Sequence, residues 1–189
     1  MKTIACDVFS NRNLALSCQT NLHGNIYVKG NLDVIYACNP FEIFGDVVID
    51  GRLSGCDITI HGNLECNSLR CDSIRVDGDI KISEYTSVNV TMTSYSGNIS
   101  ILGPADISNL IACEGSIYVE KQLNSYTIKA FDSIYVNGDI VDAAEIIAGS
   151  GIESTGNISF EHLSRYYSDE FVDIQVLSGG IHSKNMHIN

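Results

Sequence analysis

Short runs of alternating apolar and polar residues recur along the chain and set its pattern. The shared form is x-[IV]-x-[VI]-x-G-[ND]-[IL], as in NIYVKGNL from Asn25, SIRVDGDI from Ser73 and SIYVNGDI from Ser133. Alternation of this kind predicts a β-strand with one buried face. The Gly, Asn and Asp residues that follow each run favour a tight corner, because they tolerate the left-handed backbone.

The template returns at intervals that suggest a structural repeat. Copies begin at Asn25, Asp46, Asp57, Ser73, Asn98, Ser116, Ser133, Gly151 and Asp173. Four of the eight intervals are 16 to 18 residues, and we interpret the others as insertions or a shortened coil. A second element, [IL]-x-[AC], follows several copies, as in Leu69-Arg-Cys71 and Ile128-Lys-Ala130. One unit therefore contains three short apolar pieces: the I-x-V run, the [IL] after Gly-Asn or Gly-Asp, and the [IL]-x-[AC] element. We interpret these pieces as three short strands separated by three corners.

Three strands and three corners per unit predict one coil of a parallel β-solenoid, with coils about 4.8 Å apart. A helix is disfavoured, because Gly, Asn, Asp, Ser and β-branched residues dominate and no 3.6-residue apolar stripe occurs. We therefore predict an all-β, single-domain solenoid of about nine coils. Residues 25–160 are predicted to hold the repeats. Residues 1–24 and 161–189 are predicted to form an N-terminal coil or cap and an irregular C-terminal coil or cap.

The seven cysteines and five histidines do not predict a metal or cofactor site. No CxxC pair occurs, and a zinc site on a solenoid needs histidines that converge from adjacent coils. Cysteine packs as a small apolar residue. We expect Cys6, Cys18 and Cys71 to fill the small inward position of the third strand. The odd number of cysteines argues against a disulfide framework.

The charge balance limits the possible partners. The formal net charge is −12, which argues against direct contact with nucleic acid or with an anionic membrane surface. The opening MKTIACDVFSNRN has no basic-then-apolar leader, and no apolar run is long enough to cross a bilayer. We expect a soluble, cytoplasmic protein.

Acidic residues and exposed tyrosines are the candidate partner-binding residues. Residues 82–189 carry 13 acids and 4 bases, and no Lys or Arg lies between Lys129 and Arg165. The candidate acids are Asp132, Asp139, Asp142, Glu145, Glu153 and Glu161. The middle residue of each I-x-V run faces solvent, which predicts one stacked row. The predicted row reads Tyr27, Val48, Thr59, Arg75, Ser100, Tyr118 and Tyr135, with Tyr118 and Tyr135 as next-coil neighbours.

The run GDVVIDGRLSGCDITIHGNLE (Gly45–Glu65) resembles the repeats of bactofilins, the polymer-forming bacterial cytoskeletal proteins. The resemblance covers the template copies from about Asn25 to Ile158. It implies a right-handed, triangular β-helix that assembles end to end without nucleotide and acts as a scaffold. The chain departs from that family in its less regular coils, in its cysteine content and in lacking flexible Pro-rich or charged tails.

Three functions remain open at this point. The first is a non-enzymatic, self-associating scaffold of the bactofilin kind. The second is an acidic mimic of nucleic acid, of the type used in phage or mobile-element counter-defence, that binds a basic DNA- or RNA-binding protein. The third is a solenoid enzyme related to the hexapeptide acyltransferases, which the sequence disfavours because Gly does not directly follow the inward aliphatic residue. No catalytic residue is predicted.

Overall fold

The computed structural model describes residues 2–17, 20–35, 41–160 and 173–188, and every regular element in these ranges is a β-strand. The strands are β1 (Lys2–Ile4), β2 (Val8–Ser10), β3 (Leu14–Ser17), β4 (Thr20–His23), β5 (Ile26–Val28), β6 (Leu32–Ile35), β7 (Phe41–Phe44), β8 (Val47–Ser54), β9 (Asp57–Ile60), β10 (Leu64–Val76), β11 (Ile80–Ile82), β12 (Thr86–Ser94), β13 (Ile99–Ile101), β14 (Ala105–Ala112), β15 (Ile117–Val119), β16 (Leu123–Asn124), β17 (Thr127–Ala130), β18 (Ser133–Val136), β19 (Ile140–Ala143), β20 (Glu145–Ala148), β21 (Gly151–Ser154), β22 (Asn157–Phe160), β23 (Asp173–Val176), β24 (Ile181–His182) and β25 (Asn185–Ile188).

All strand pairings are parallel and join each coil to the next, which confirms the predicted β-solenoid. Face 1 stacks β1, β4, β7, β9, the ends of β10, β12 and β14, then β17, β20 and β23. Face 2 stacks β2, β5, the starts of β8 and β10, then β11, β13, β15, β18, β21 and β24. Face 3 stacks β3, β6, the end of β8, the middle of β10, the starts of β12 and β14, then β16, β19, β22 and β25. The three faces per coil agree with a triangular section, and the ten segments on each face are close to the nine coils predicted.

The core is built from columns of aliphatic side chains that run the length of the solenoid. On face 2, isoleucines at positions 80, 99, 117, 134 and 152 follow one another in register, and each is essentially fully buried. Ile74 and Val76 are likewise buried. Burial of one such side chain stabilises the fold by about 1.5–3 kcal/mol. Buried columns therefore fix which residues face inward on every strand.

The edge between faces 1 and 2 is held by a ladder of polar side chains. From Asp7 upward, Asp and Asn alternate over six coils, and each side-chain oxygen accepts the backbone N–H of the next coil at 2.8 to 2.9 Å. The ladder residues are Asp7, Asn25, Asp46, Asn63, Asp79 and Asn98. Like charges stacked one coil apart would repel. The alternation keeps every carboxylate in this ladder next to a neutral amide.

Glycine precedes every ladder residue except Asp7, because the coils approach closely there. A Cβ on Gly62 would lie 2.5 Å from the carbonyl oxygen of Gly45, and one on Gly115 would lie 2.3 Å from that of Gly97. No side chain fits in that gap. The Gly-Asn and Gly-Asp pairs of the template are therefore required by stacking of one coil on the next.

The interpretation of the irregular intervals holds for the interval of 21 residues, which is a longer coil, but was wrong for those of 11 and 25 residues. Copies from Asn25 and Asp46 lie on face 2, whereas those from Asp57 and Ser73 lie on face 1. The coils themselves vary only between 16 and 21 residues in this region, as the ladder spacings show. The short interval from Asp46 to Asp57 marks a change of face. The same local sequence pattern therefore forms a strand and a corner on face 1 in some coils and on face 2 in others.

The described residues before position 25 and after position 172 continue the same ladder. Strands β1–β3 form a first coil, and β23–β25 form a last one. Positions 161–172, where the irregular C-terminal segment was predicted to begin, lie outside the described residues. The handedness implied by the resemblance stays a prediction.

The cysteines occupy two environments. Cys71 is buried in the core on face 3 as predicted, and Cys66 is buried on face 2 of the same strand, β10. The expectation for Cys6 was wrong, because it lies after the end of β1 at Ile4 and is exposed. Cys18 falls outside the described part of the chain.

Candidate binding surfaces

The structure spreads the predicted acidic residues around the triangle instead of placing them on one face. Asp132 lies at the edge between faces 1 and 2, Glu153 on face 2, and Asp139 at the edge between faces 2 and 3. Asp142 lies near the end of β19 on face 3, and Glu145 is the first residue of β20 on face 1. Glu161 lies outside the described residues.

Several of these acids have local structural partners. Asp139 accepts the backbone N–H of Asn157 at 2.7 Å, and Asp132 accepts a hydrogen bond from the hydroxyl of Ser116 at 3.2 Å. The Glu145 carboxylate lies 2.8 Å from Lys129 Nζ. Such contacts give these acids a role within the solenoid that is independent of any partner.

Asp142 has a backbone role. Its φ of 59° lies in the left-handed region, where the pairing of β19 with β22 is irregular between Ile140 and Ala143. Aspartate adopts this conformation more readily than most residues. The identity of Asp142 is therefore explained in part by the bend that it permits.

The outward row of face 2 differs from the predicted row in its middle. Thr59 and Arg75 lie on face 1, and Glu65 and Lys81 take their places on face 2. The row reads Phe9, Tyr27, Val48, Glu65, Lys81, Ser100, Tyr118, Tyr135, Glu153 and His182. The prediction that Tyr118 and Tyr135 are next-coil neighbours is confirmed. Glu153 is the next residue of the row after Tyr135.

Tyr118, Tyr135 and Glu153 line a shallow hollow of about 240 Å³ together with Glu120, Asn137 and Thr155. The two rings are exposed by 38% and 43%. A second hollow, of about 200 Å³, lies near the start of the same row against the stacked rings of Phe9 and Tyr27, whose centroids are 5.0 Å apart. Face 2 therefore presents aromatic surface near both of its ends.

An aromatic stack on the edge between faces 1 and 2 was not predicted from the sequence. The Phe44 ring lies between the imidazoles of His23 and His61, with both centroid distances at 4.4 Å and the rings nearly parallel. His61 Nδ1 lies 2.9 Å from Asp77 Oδ2 in the next coil. Part of this stack could have been predicted, because His23 and His61 share the sequence context H-G-N. The position of Phe44 could not, because Phe44 belongs to no template copy.

In the first and the last described coil, part of the core is exposed. At the first coil Ile4, Val8, Leu14 and Leu16 are only partly buried. At the last described coil Ile174 and Val176 are partly buried, while Ile181 and Met186 are exposed by 37% and 43%. Coils between them bury the matching positions almost completely. As far as the structure describes them, both end coils therefore expose inward-type apolar side chains.

The buried thiols are protonated at neutral pH. Desolvation raises the pKa of the Cys66 thiol to about 12, and it raises the pKa of Cys71 as well, with added repulsion from Asp72. Within the described ranges, no three His, Cys, Asp or Glu side chains are grouped closely enough to hold a metal ion. Those ranges also contain no helix of the length and apolarity needed to cross a membrane.

Comparison with known proteins identifies no similar protein. No protein-family model matches the chain, and no curated protein or solved structure matches it either. The likeness to bactofilins therefore depends on the repeat motif and on the solenoid that the structure shows.

Proposed function

We propose that this protein is a non-enzymatic structural rod whose copies associate end to end into a scaffold, in the manner that the resemblance to bactofilins implies. The single observation that carries the proposal is the partial exposure of core side chains in the first and the last described coil. Each end presents a strand edge of ten residues, in β1–β3 and in β23–β25. Unpaired strand edges with apolar side chains recruit further strands unless they are capped.

The two ends match in chemistry along each core column. If the last coil of one copy stacked on the first coil of another, Ile181 would cover Val8, because both belong to one column of face 2. Met186 would cover Leu14 on face 3 in the same way. On face 1, Val176 would cover Ile4. All three contacts would place aliphatic on aliphatic, as most coils in the interior of the rod do.

The strand direction favours a linear polymer. All described pairings within the chain are parallel, so the two ends are different surfaces, and a last coil stacked on the first coil of another copy would continue the same parallel pairing. Contacts between unlike surfaces generate open filaments when the rotation does not close a ring. Each junction would add about ten backbone hydrogen bonds, each with a net value of about 0.5–1.5 kcal/mol.

The test uses two variants that each block one end. Leu14→Lys places a charge on the first coil, and Met186→Lys places one on the last. Both positions are partly exposed, so the lysine can extend its ammonium group into solvent. We expect the wild type to form concentration-dependent oligomers in size-exclusion chromatography with light scattering, and filaments in electron micrographs. Each variant alone is expected to be monomeric.

Mixing the two variants gives the decisive result. Each retains one intact end, so an equimolar mixture is expected to form dimers and nothing longer. Ser100→Lys, which adds the same charge to the side of the rod on face 2, serves as the matched control and is expected to assemble like the wild type. A wild type that stays monomeric at hundreds of micromolar, or a mixture that remains monomeric, would overturn the proposal.

A further inference from the structure

The hollow on face 2 combines two aromatic rings with two carboxylates from three successive coils. Tyr118 and Glu120 come from β15 and the corner after it, Tyr135 and Asn137 from the next coil, and Glu153 from the coil after that. Adjacent coils lie about 4.8 Å apart, so the rings and the Glu153 carboxylate form one continuous strip.

Hydrogen bonds between the coils hold most of these groups in place. The Tyr118 hydroxyl donates to Glu120 Oε2, and the Asn137 amide donates to Glu120 Oε1 at 2.9 Å. Asn137 Oδ1 in turn accepts from the Thr155 hydroxyl at 3.0 Å. Both oxygens of Glu120 are therefore engaged, and the position of the Tyr118 ring is fixed by this network.

Glu153 differs from Glu120 because it makes no hydrogen bond or ion pair with the described residues. It is exposed and lies directly beside Tyr135 in the outward row. No Lys or Arg lines the hollow. The site thus offers a free carboxylate, a second carboxylate in an ordered network and two partly exposed rings, and the nearest basic side chain of the row is His182, one coil beyond Glu153.

We propose that this hollow binds an arginine side chain from an extended basic segment of a partner protein. A cation is attracted by both ring faces and by the carboxylates. A planar guanidinium also stacks on a tyrosine ring and directs two N–H groups to one carboxylate, which a lysine ammonium cannot do. The guanidinium lies over Tyr135 and Tyr118 and donates to Glu153. This site is on the side of the rod, so it does not depend on assembly at the ends.

The test is an NMR titration of protein labelled with 3-fluorotyrosine, with the nine tyrosine signals assigned by single Tyr→Phe variants. The probe is a capped Gly-Ser peptide with one central arginine. Matched peptides carry lysine or citrulline, the neutral isostere of arginine, in its place. We expect the arginine peptide to shift the Tyr118 and Tyr135 signals, the lysine peptide to bind at least threefold more weakly, and the citrulline peptide to leave both signals unmoved.

Variants separate a built site from diffuse attraction to an acidic protein. Glu153→Gln and Tyr135→Ala are each expected to weaken binding of the arginine peptide at least threefold. The controls remove the same groups elsewhere: Glu114→Gln removes an exposed acid, and Tyr95→Ala removes an exposed ring on another edge. Both controls are expected to bind as the wild type does. Equal loss in Glu114→Gln, equal binding of the citrulline peptide, or no shift of the two signals would overturn the proposal.

Discussion

Replacing Gly62 by alanine tests the stacking of the coils most sharply. The new Cβ would lie 2.5 Å from the Gly45 carbonyl oxygen, 2.6 Å from its carbon and 2.7 Å from Asp46 Oδ1. Ordinary contacts of a Cβ begin near 3.4 Å, so the two coils must move apart by several tenths of an ångström. Two of the three contacts are backbone atoms, which cannot rotate away as a flexible side chain would.

The expected loss of stability follows from three contributions. Overpacking of this kind costs about 1–3 kcal/mol. The displacement also weakens the hydrogen bond from Asn63 N to Asp46 Oδ1, now 2.8 Å, which is worth about 1 kcal/mol. Alanine offsets about 0.4–1 kcal/mol by restricting the unfolded chain. We therefore expect the free energy of unfolding to fall by about 2 kcal/mol.

The assay is equilibrium unfolding in urea, followed by circular dichroism and by tyrosine fluorescence to check that the transitions coincide. Gly151→Ala is the matched control, because its Cβ would meet only the Gly180 carbonyl oxygen at 3.4 Å. That variant is expected to be as stable as the wild type or more stable by up to about 1 kcal/mol. The reasoning is refuted if Gly62→Ala unfolds within about 0.5 kcal/mol of the wild type, or if both variants lose the same stability.

Further predictions concern buried polar groups and the edge ladder. Thr86→Val should raise the free energy of unfolding by about 1 kcal/mol, because the buried Thr86 hydroxyl has no hydrogen-bond partner among the described residues; an unchanged or lower value contradicts this. At pH 8, iodoacetamide should modify exposed Cys113 in the native protein and spare Cys66 and Cys71, as mass spectrometry can show. Since the folded pKa of Cys66 is near 12 against an ordinary 9.0, its contribution to stability is full below pH 9 and should be lost as pH rises toward 12; a flat profile of urea midpoints would contradict it. The substitution Asn63→Asp stacks three carboxylates in successive coils and should cost about 1–2 kcal/mol at pH 7, with recovery as pH falls through about 4; equal loss at both pH values would refute the ladder argument.

The sequence predicts the solenoid well because the fold is local and repetitive. Alternation in a run such as SIYVNGDI fixes both the strand and its inward face, and the buried Ile134 and Val136 confirm it. The face on which each copy of the template lies is harder to predict from the sequence. DITIHGNL and NIYVKGNL have the same pattern, yet they lie on faces 1 and 2, because the corner after face 1 and the corner after face 2 can both be built from Gly-Asn. Only the strand pairing between successive coils shows at which corner of the triangle each copy ends.

The hollow on face 2 could likewise be predicted only in part. Tyr118 and Tyr135 could be matched from the sequence, because no change of face separates them. The network through Glu120, Asn137 and Thr155 depends on side-chain contacts between coils, and those follow from register. A signal existed, since each of these residues stands two positions after the row residue of its own coil, but it becomes visible only once the coils are aligned.

The central claim is that consecutive outward residues of face 2 lie one coil apart along the axis of the solenoid. Distances between spin labels test it directly, with labels attached through p-acetylphenylalanine so that the native cysteines are unaffected, and with excess unlabelled protein to dilute contacts between copies. From Tyr27, the label at Ser100 is four coils away, the one at Tyr118 is five and the one at Glu153 is seven. At about 4.8 Å per coil, the predicted distances are about 19, 24 and 34 Å. Distances that fail to rise in this order by these steps would contradict the stacked ladder.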